Sequence, residues 1–213
     1  MDFLSREDAG RKLGDYLQAK RFQSDVVLGL PRGGVVVAAE VARCIHLPLD
    51  IIVVRKIGHP RHREFAVGAL AEGDVAVLDQ EAIEATHVID EELDAIIAEE
   101  KERLHAYQLK FGRTGSPPLT GKRVCLVDDG LATGATMEAA VLSVRKRGAS
   151  KAIVAVPVAS ESARERLSRV ADQVLAILVD PTFDAVGRYY QHFSQTTDEE
   201  VLDLLNTPQP RSL

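Results

Sequence analysis

The sequence predicts an α/β fold, in which a doubly wound and mostly parallel sheet carries helices on both faces. Short apolar runs of strand length alternate with longer stretches of helix length, an order that is typical of such sheets. The short runs are apolar at consecutive positions, which indicates strands buried on both faces. The 213 residues, 46% hydrophobic and 27% charged, suit a single globular domain over 1–213.

The first half of the chain opens with a helix signal. Ser5 followed by Asp8 is typical of a capped helix start, and Leu13 and Leu17 then share one helical face. The polar segment 55–64 is predicted to be a loop. The other elements predicted here are a first helix ending near 18, a strand over 26–30, a helix over 35–43, a strand over 49–54 and a hairpin with strands over 65–70 and 75–78.

The second half resumes the pattern after an interruption. Segment 81–121 is interpreted as a helical insertion, with an acidic amphipathic helix over 90–110 and a connector over 111–121 that is rich in glycine and proline. The core pattern then continues with a strand over 124–127, a helix over 137–147, a strand over 153–158, a helix over 160–170 and a strand over 174–178.

Composition narrows the class of protein. The net charge of −6 argues against a protein that coats nucleic acid, which would ordinarily be basic. The first residues lack the layout of a signal peptide, and no apolar stretch approaches the roughly 20 residues of a membrane span. We therefore expect a cytoplasmic protein without a membrane partner, and we expect Cys44 and Cys125 to be buried, reduced thiols.

The most informative segment follows the strand over 124–127. Asp128 and Asp129 end that strand, and a loop of small and hydroxyl residues leads into a helix. The free N–H groups and positive dipole end at a helix start suit a phosphate, and Thr133 and Thr136 add hydroxyl donors. Two carboxylates beside a phosphate would repel it unless they hold hydroxyl groups or a metal. A phosphorylated sugar offers both a phosphate and a diol.

This segment resembles the binding motif for phosphoribosyl pyrophosphate (PRPP) in type I phosphoribosyltransferases. The resemblance implies that Asp128 and Asp129 hold the ribose hydroxyls. It also implies a 5′-phosphate site made by Ala132, Thr133, Gly134, Ala135 and Thr136. Other glycine-rich sites do not match, because no Gly-x-Gly-x-x-Gly follows a strand and segment 115–122 lacks the spacing of a P-loop.

Two further segments resemble parts of the same family. The loop Pro31-Arg32-Gly33-Gly34, after the strand over 26–30, resembles the pyrophosphate loop, which in the family often carries a cis peptide bond. The basic segment that begins with Arg55 and Lys56 resembles the flexible catalytic loop, with Glu64 in the part that closes over the reaction. His59 and His62 lie near no further cysteine or histidine, so a zinc site is not expected.

The resemblance implies transfer of ribose 5-phosphate from PRPP to a nitrogen heterocycle, with release of pyrophosphate. Asp128, Asp129, Arg55, Lys56 and Glu64 are the implied catalytic residues. Mg²⁺ is the implied cofactor, held mainly by ligand oxygens and water, and no residue is assigned as its direct ligand. Family analogy also implies a homodimer. The chain as a whole resembles bacterial members of the family whose acceptor is unassigned.

The acceptor stays open, with a nucleobase expected and a purine slightly favoured. Ala132 replaces an aspartate of the 6-oxopurine enzymes, although the Arg-Gly-Gly loop resembles theirs, and Ala-Thr-Gly is closer to adenine enzymes. Segments 1–20 and 180–213 are candidates for a hood over the acceptor. Within it Phe183 could stack on a base, or its ring could pack the tail onto the core. The alternative function is a non-catalytic regulator that senses PRPP or a nucleotide, and water as the acceptor is a third hypothesis.

Overall fold

The computed structural model describes residues 3–63, 65–112 and 118–207, and a parallel sheet lies at its centre. In chain order its helices and strands are α1 (Arg6–Ala19), β1 (Val26–Gly29), α2 (Gly33–Ile45), β2 (Leu49–Ile51), β3 (Val54–Gly58), β4 (Ala66–Ala71), β5 (Val75–Leu78), α3 (Gln80–Thr86), α4 (Asp90–Lys110), β6 (Arg123–Val127), α5 (Ala135–Lys146), β7 (Lys151–Ser160), α6 (Glu161–Ser168), β8 (Gln173–Asp180) and α7 (Asp198–Asn206). A short 3₁₀ helix covers Val186–Tyr189.

The central sheet has five parallel strands in the order β2–β1–β6–β7–β8. Its residues alternate between two cores: Val27 and Cys125 pack against α1 and α2, whereas Leu28 and Leu126 pack on the opposite face, where α5 and α6 lie. Helices therefore cover both faces, and the predicted fold class is confirmed. β6 is the middle strand, so the segment after it begins near the centre of the carboxyl end of the sheet.

A second sheet of three antiparallel strands, in the order β3–β4–β5, corrects part of the prediction. The hairpin of β4 and β5 is as predicted. Segment 55–64 is not wholly a loop, because Arg55 and Lys56 lie in β3 and pair with Leu70 and Ala69 of β4. An edge strand can carry such charged residues because one of its sides stays unpaired.

The predicted strand over 49–54 is also divided between the two sheets. β2 ends at Ile51, and Ile52 and Val53 pass from one sheet to the other before β3 begins. The Ile52 N–H donates to the Gly29 carbonyl (3.1 Å), and the Val53 N–H donates to the Glu72 carboxylate (2.8 Å). The apolar run is continuous because all of it is buried, which hides the break between sheets from the sequence pattern.

Helix α4 has the bounds that the sequence predicts, and it packs on the second sheet. Its buried Leu93, Ile96 and Leu104 join Ile57 and Leu70 in one core cluster. Helices α3 and α7 were not predicted. Both are short and begin at capped ends, α3 at Asp79 and α7 at a capping box of Thr197 and Glu200.

Both cysteines are free. Cys125 is buried, and burial raises the pKa of its thiol to about 12, whereas Cys44 is only partly buried. Within the described residues, no helix is both long and apolar enough to cross a membrane.

A buried ion pair connects the second sheet to α5. The Glu72 side chain is 0% exposed although it follows β4 in the hairpin turn, and it pairs with Arg147 (3.1 Å), itself 6% exposed. The other carboxylate oxygen accepts the Val53 N–H, and the Ser143 hydroxyl donates to the Glu72 carbonyl (2.5 Å). Glu72 therefore connects Val53, in the segment that passes from one sheet to the other, to Arg147 at the end of α5.

We expect Glu72→Ala to lower the free energy of unfolding by about 3–5 kcal/mol, because it leaves Arg147 buried without this partner. Urea denaturation monitored by circular dichroism measures the change. Lys101→Ala is the control, because it removes an exposed ion pair to Asp74 (3.4 Å) and should cost at most about 1 kcal/mol. Equal losses in the two variants would contradict the structural role of Glu72.

Candidate active site

The two adjacent carboxylates that end β6 form the centre of the site. Asp128 is held by the Asp129 backbone N–H, which donates to its carboxylate (2.8 Å). The Asp129 carboxylate accepts a hydrogen bond from Arg6 Nε of α1 (2.8 Å), and both of these side chains are largely buried, 15% and 11% exposed. The Asp129 carboxylate is therefore engaged by a cation, whereas the Asp128 carboxylate is engaged by the backbone N–H and the side chain of Asp129.

The Arg-Gly-Gly loop after β1 lies directly against this acidic pair. A Cβ atom on Gly34 would stand 2.6 Å from an Asp128 carboxylate oxygen, and one on Gly33 would stand 2.4 Å from an Asp129 oxygen. At Gly34 the added Cβ would also lie 2.9 Å from the Asp128 Cα and 3.0 Å from the Val127 carbonyl oxygen, which are backbone atoms, so this approach requires glycine. The peptide bond between Pro31 and Arg32 is cis, in the loop where the resemblance predicts one. Arg32 itself extends to Asp198 of α7, 3.8 Å away.

The loop between β6 and α5 has the form of an anion cradle. Its first part is tied to β7, since the Ser160 hydroxyl donates to the Ala132 carbonyl (2.6 Å). Gly134 precedes α5 with φ +76°, a left-handed conformation that favours glycine. Ala132 and Thr133 are exposed, and Ala135 and Thr136 form the first turn of α5, where backbone N–H groups lack intrahelical acceptors.

Both ends of the described chain meet over Asp129. The Tyr190 hydroxyl donates to the Asp129 carbonyl (2.5 Å). The Arg6 guanidinium lies 3.9 Å from the centre of the Phe193 ring and donates to the Ser194 carbonyl (2.6 Å). Sequence reasoning missed Arg6, Tyr190 and Phe193 as neighbours of the acidic pair, because no motif marks them. Only their membership of segments 1–20 and 180–213 pointed to this region.

Phe183 lies in the same C-terminal segment but stacks on Tyr189, with ring centres 5.3 Å apart. The Tyr189 hydroxyl in turn donates to Asp180 at the end of β8 (2.7 Å). The ring of Phe183 is thus partly covered by the tail, and its other surroundings leave it only half-buried.

The basic segment lies against α4 and not against the acidic pair. Arg55 Nε donates to Glu100 (2.7 Å), Arg61 pairs with Glu92 (3.2 Å), and Arg63 pairs with Glu99 (2.6 Å). Lys56 is exposed. In the described part of the chain, no hydrogen bond or ion pair joins Arg55 or Lys56 to Asp128 or Asp129. Glu64 lies outside the described residues.

Comparison with known proteins decides the family. Residues 5–191 match the model of the phosphoribosyl transferase domain. The chain belongs to this family. A Mycobacterium tuberculosis H37Rv protein provisionally named a phosphoribosyl transferase is 42% identical over 205 residues, which are 96% of this chain and 46% of that protein. The crystal structure of TT1426 from Thermus thermophilus is 43% identical with a TM-score of 0.79, and the match covers 96% of this chain and 98% of that one.

A more distant relative is the ribose-phosphate pyrophosphokinase of Pyrococcus furiosus, 30% identical over 67% of this chain and 58% of that enzyme. The chain spans about half the length of the curated relatives that it matches most fully. Membership of the phosphoribosyl transferase family confirms the resemblance that the sequence predicts from its three loops.

In this phosphoribosyl transferase domain, burial strongly affects the acidic pair. Burial raises the pKa of Asp128 well above its usual range, and the neighbouring Asp129 charge raises it further. Burial also raises the pKa of Asp129, but Arg6 opposes that rise. Holding two adjacent charged carboxylates here costs stability, and groups that donate hydrogen bonds to them would recover it.

The donor set of the acidic pair consists of oxygen atoms, which suits Mg²⁺. Among the described residues, however, no group of three or more histidine, cysteine, aspartate or glutamate side chains could hold a metal ion. One of the two carboxylates is also engaged by Arg6. If Mg²⁺ binds here, the acidic pair would leave most of its coordination positions to other ligands.

We expect Asp128→Asn to stabilise the protein at pH 7.5. A carboxyl with a raised folded-state pKa keeps its proton after the unfolded chain has lost it, so stability falls as pH rises above about 4. The amide cannot ionise, and its oxygen can still accept the Asp129 N–H. Each kcal/mol gained corresponds to about 2–4 °C in the melting temperature of a chain of this size.

Melting temperatures measured from pH 4 to pH 9 test this expectation. Asp15→Asn, an exposed change on α1, is the control and should follow the wild-type profile. An Asp128→Asn profile with the wild-type pH slope would show that burial of the Asp128 carboxyl does not lower the stability of the protein at neutral pH.

Proposed function

We propose that the protein transfers ribose 5-phosphate from PRPP to a nitrogen atom of a heterocycle and releases pyrophosphate, with Mg²⁺ as cofactor. The contact of Gly33 and Gly34 with Asp128 and Asp129, beside the start of α5, supports this function best. The proposed diol acceptor, phosphate cradle and diphosphate loop, which PRPP would require, would then lie side by side at the carboxyl end of the sheet. Ligands commonly bind at this edge of parallel sheets.

The proposed roles follow from the chemistry of each group. The acidic pair accepts hydrogen bonds from the two ribose hydroxyls, and the start of α5 binds the 5′-phosphate through backbone N–H groups and threonine hydroxyls. The phosphate site comprises Ala132, Thr133, Gly134, Ala135 and Thr136. The pyrophosphate site comprises Pro31, Arg32, Gly33 and Gly34, with Arg55, Lys56 and Glu64 supplied by the segment that closes over the reaction.

The reaction breaks the bond between the anomeric carbon and the pyrophosphate oxygen and forms a bond from that carbon to the acceptor nitrogen. The electron pair of the broken bond leaves with pyrophosphate, and the acceptor nitrogen loses its proton. Because the carbon becomes cation-like, the negative field of Asp128 and Asp129 stabilises it, while Arg32, Arg55 and Lys56 stabilise the leaving charge. Mg²⁺, bound mainly through pyrophosphate oxygens and water, would add positive charge at the leaving group.

The hood over the acceptor is proposed to come from segments 1–20 and 180–213 of a single domain over 1–213. Tyr190 and Arg6 support this assignment, because they bring both segments onto Asp129. Phe183 is the proposed stacking residue for a nucleobase, a purine being slightly favoured. Segment 81–121 is proposed as an insertion, and a homodimer, a cytoplasmic location and the absence of nucleic-acid partners complete the proposal.

A regulator that senses PRPP or a nucleotide without catalysis is the second candidate. One observation favours it: Arg6 engages Asp129 and Glu100 engages Arg55, so two of the groups assigned to catalysis are held by protein partners. The net charge of −6 disfavours a regulator that binds nucleic acid directly.

Pyrophosphate release from PRPP and Mg²⁺, with and without a pool of purine and pyrimidine bases, tests the proposal. Release that depends on bases is expected, and dividing the pool identifies the acceptor. Release without any base would indicate water as the acceptor. No release, combined with a raised melting temperature in PRPP, would favour the regulator.

We expect the double variant Asp128→Asn/Asp129→Asn to lose PRPP binding, because amides cannot supply the charge that holds the diol and stabilises the cation-like carbon. A loss of at least 100-fold in affinity, equivalent to about 2.8 kcal/mol, is measurable by calorimetry. Asp15→Asn/Glu165→Gln removes the same charge from exposed positions and should bind as the wild type does. PRPP affinity that survives the acidic-pair change would overturn the site assignment.

A further inference from the structure

A cationic cleft lies between β3 and the inserted helix α4. Its volume is about 410 Å³, and its charged lining consists of Arg55, Lys56, Arg63, Arg103 and Glu100. Arg103 belongs to α4 and was not among the residues that the sequence marked as functional. The cleft therefore combines cations of the basic segment with one from the insertion.

The charge of this cleft is positive within an acidic chain. Four cations line it, and the carboxylates paired with them are those of Glu99 and Glu100. Two positive charges are therefore in excess, although the whole chain carries −6. Such a local excess favours a ligand with several negative charges close together.

Glu100 organises the cations. Its side chain is 5% exposed, and its two carboxylate oxygens accept hydrogen bonds from Arg55 Nε and from an Arg103 terminal nitrogen, each at 2.7 Å. One buried carboxylate therefore holds two guanidinium groups side by side. Each guanidinium carries five N–H donors, so both retain donors beyond those that Glu100 engages.

Contacts of α4 and α7 connect the helix that lines the cleft to the Arg-Gly-Gly loop. Tyr107 of α4 donates to Asp198 (2.9 Å), which lies 3.8 Å from Arg32. Burial and Asp198 raise the pKa of Tyr107 to about 12, and the charges of both Arg32 and Arg55 oppose that rise. Val35, which follows the Arg-Gly-Gly loop, and Leu104, which follows Arg103, also belong to one buried cluster with Ile57 of β3, so the elements that carry the cleft and the loop pack against one another.

The geometry points to a diphosphate-binding cleft in which Arg103 of α4 binds the ligand and Glu100 positions Arg55 and Arg103. This inference rests on the proposed function and extends it. The inserted helix completes the subsite for the diphosphate group of PRPP. Guanidinium pairs of this kind suit phosphate oxygens because they donate parallel, charge-assisted hydrogen bonds.

Calorimetric titration with inorganic pyrophosphate and Mg²⁺ tests the role of Arg103. We expect Arg103→Gln to bind pyrophosphate at least tenfold more weakly than the wild type. Arg164→Gln removes an exposed charge from α6 and should stay within about twofold of the wild type, since surface charges act weakly at a distance. Wild-type affinity in Arg103→Gln would overturn the inference.

Glu100→Gln distinguishes positioning from simple attraction by the sign of its effect. Removing a negative charge from a purely electrostatic cleft strengthens anion binding. Loss of positioning weakens it, and we expect pyrophosphate affinity to fall about fivefold. Glu102→Gln removes the same charge from an exposed position of α4 and should leave affinity unchanged. Tighter binding by folded Glu100→Gln would overturn the positioning role. If this variant does not fold, Arg103→Gln still decides the site.

Kinetics with PRPP separates this inference from the proposed function. We expect Arg103→Gln to raise the KM for PRPP. Weaker pyrophosphate binding with an unchanged KM would show that the cleft takes the diphosphate of another ligand and would overturn its link to the reaction. An inactive wild type with pyrophosphate binding that depends on Arg103 would refute the proposed function alone.

We expect Asp128→Asn/Asp129→Asn to retain pyrophosphate binding, and a complete loss would overturn a subsite centred on Arg103.

Discussion

The approach of the Arg-Gly-Gly loop to the acidic pair is the constraint on which the site depends. β1 and β6 are neighbouring parallel strands, with Gly29 opposite Val127, so their following loops emerge side by side. The two loops approach most closely where the first of them has no side chain. Gly33 and Gly34 lie at this approach, because a Cβ atom on either would fall within 2.6 Å of a carboxylate oxygen. A larger residue at Gly34 would meet the backbone at the end of β6 and push the loop away from it, whereas one at Gly33 would displace the side chains of Asp129 and Arg6.

Ion pairs hold side chains from distant segments of this domain in place at three points. Arg6 engages Asp129 at the end of β6, Glu100 engages Arg55 in β3, and Glu72 engages Arg147 where the second sheet meets α5. Each pair is partly or fully buried and joins elements that are distant in sequence. Buried pairs of this kind contribute little net stability compared with apolar packing, but losing one partner is costly. Their effect is to fix which elements meet.

Features with local causes could be predicted from the sequence, whereas those that depend on contacts between distant segments could not. The strands of the central sheet are continuous apolar runs, so the sequence pattern predicts them. The start of α5 follows an acidic pair and Gly134, so the family resemblance predicts the loop that leads into it. Lys56 is polar, yet it lies in a strand because its backbone pairs with Ala69 of β4. Glu72 occupies a turn sequence, yet it is buried because Arg147 and the Val53 N–H satisfy it. Arg6 carries no motif, and its position beside the acidic pair follows only from where α1 packs.

The acidic character of α4 illustrates why composition alone is insufficient to assign a role to a charged helix. Viewed as sequence, its glutamates could simply form a solvated face. In the fold, Glu92, Glu99 and Glu100 each face an arginine of the basic segment, and the apolar side of the helix covers the second sheet. The helix therefore controls where cations lie, and it does so with carboxylates that reduce but do not cancel their charge. A helix with neutral residues at these positions could cover the sheet equally well, but it could not orient the arginines.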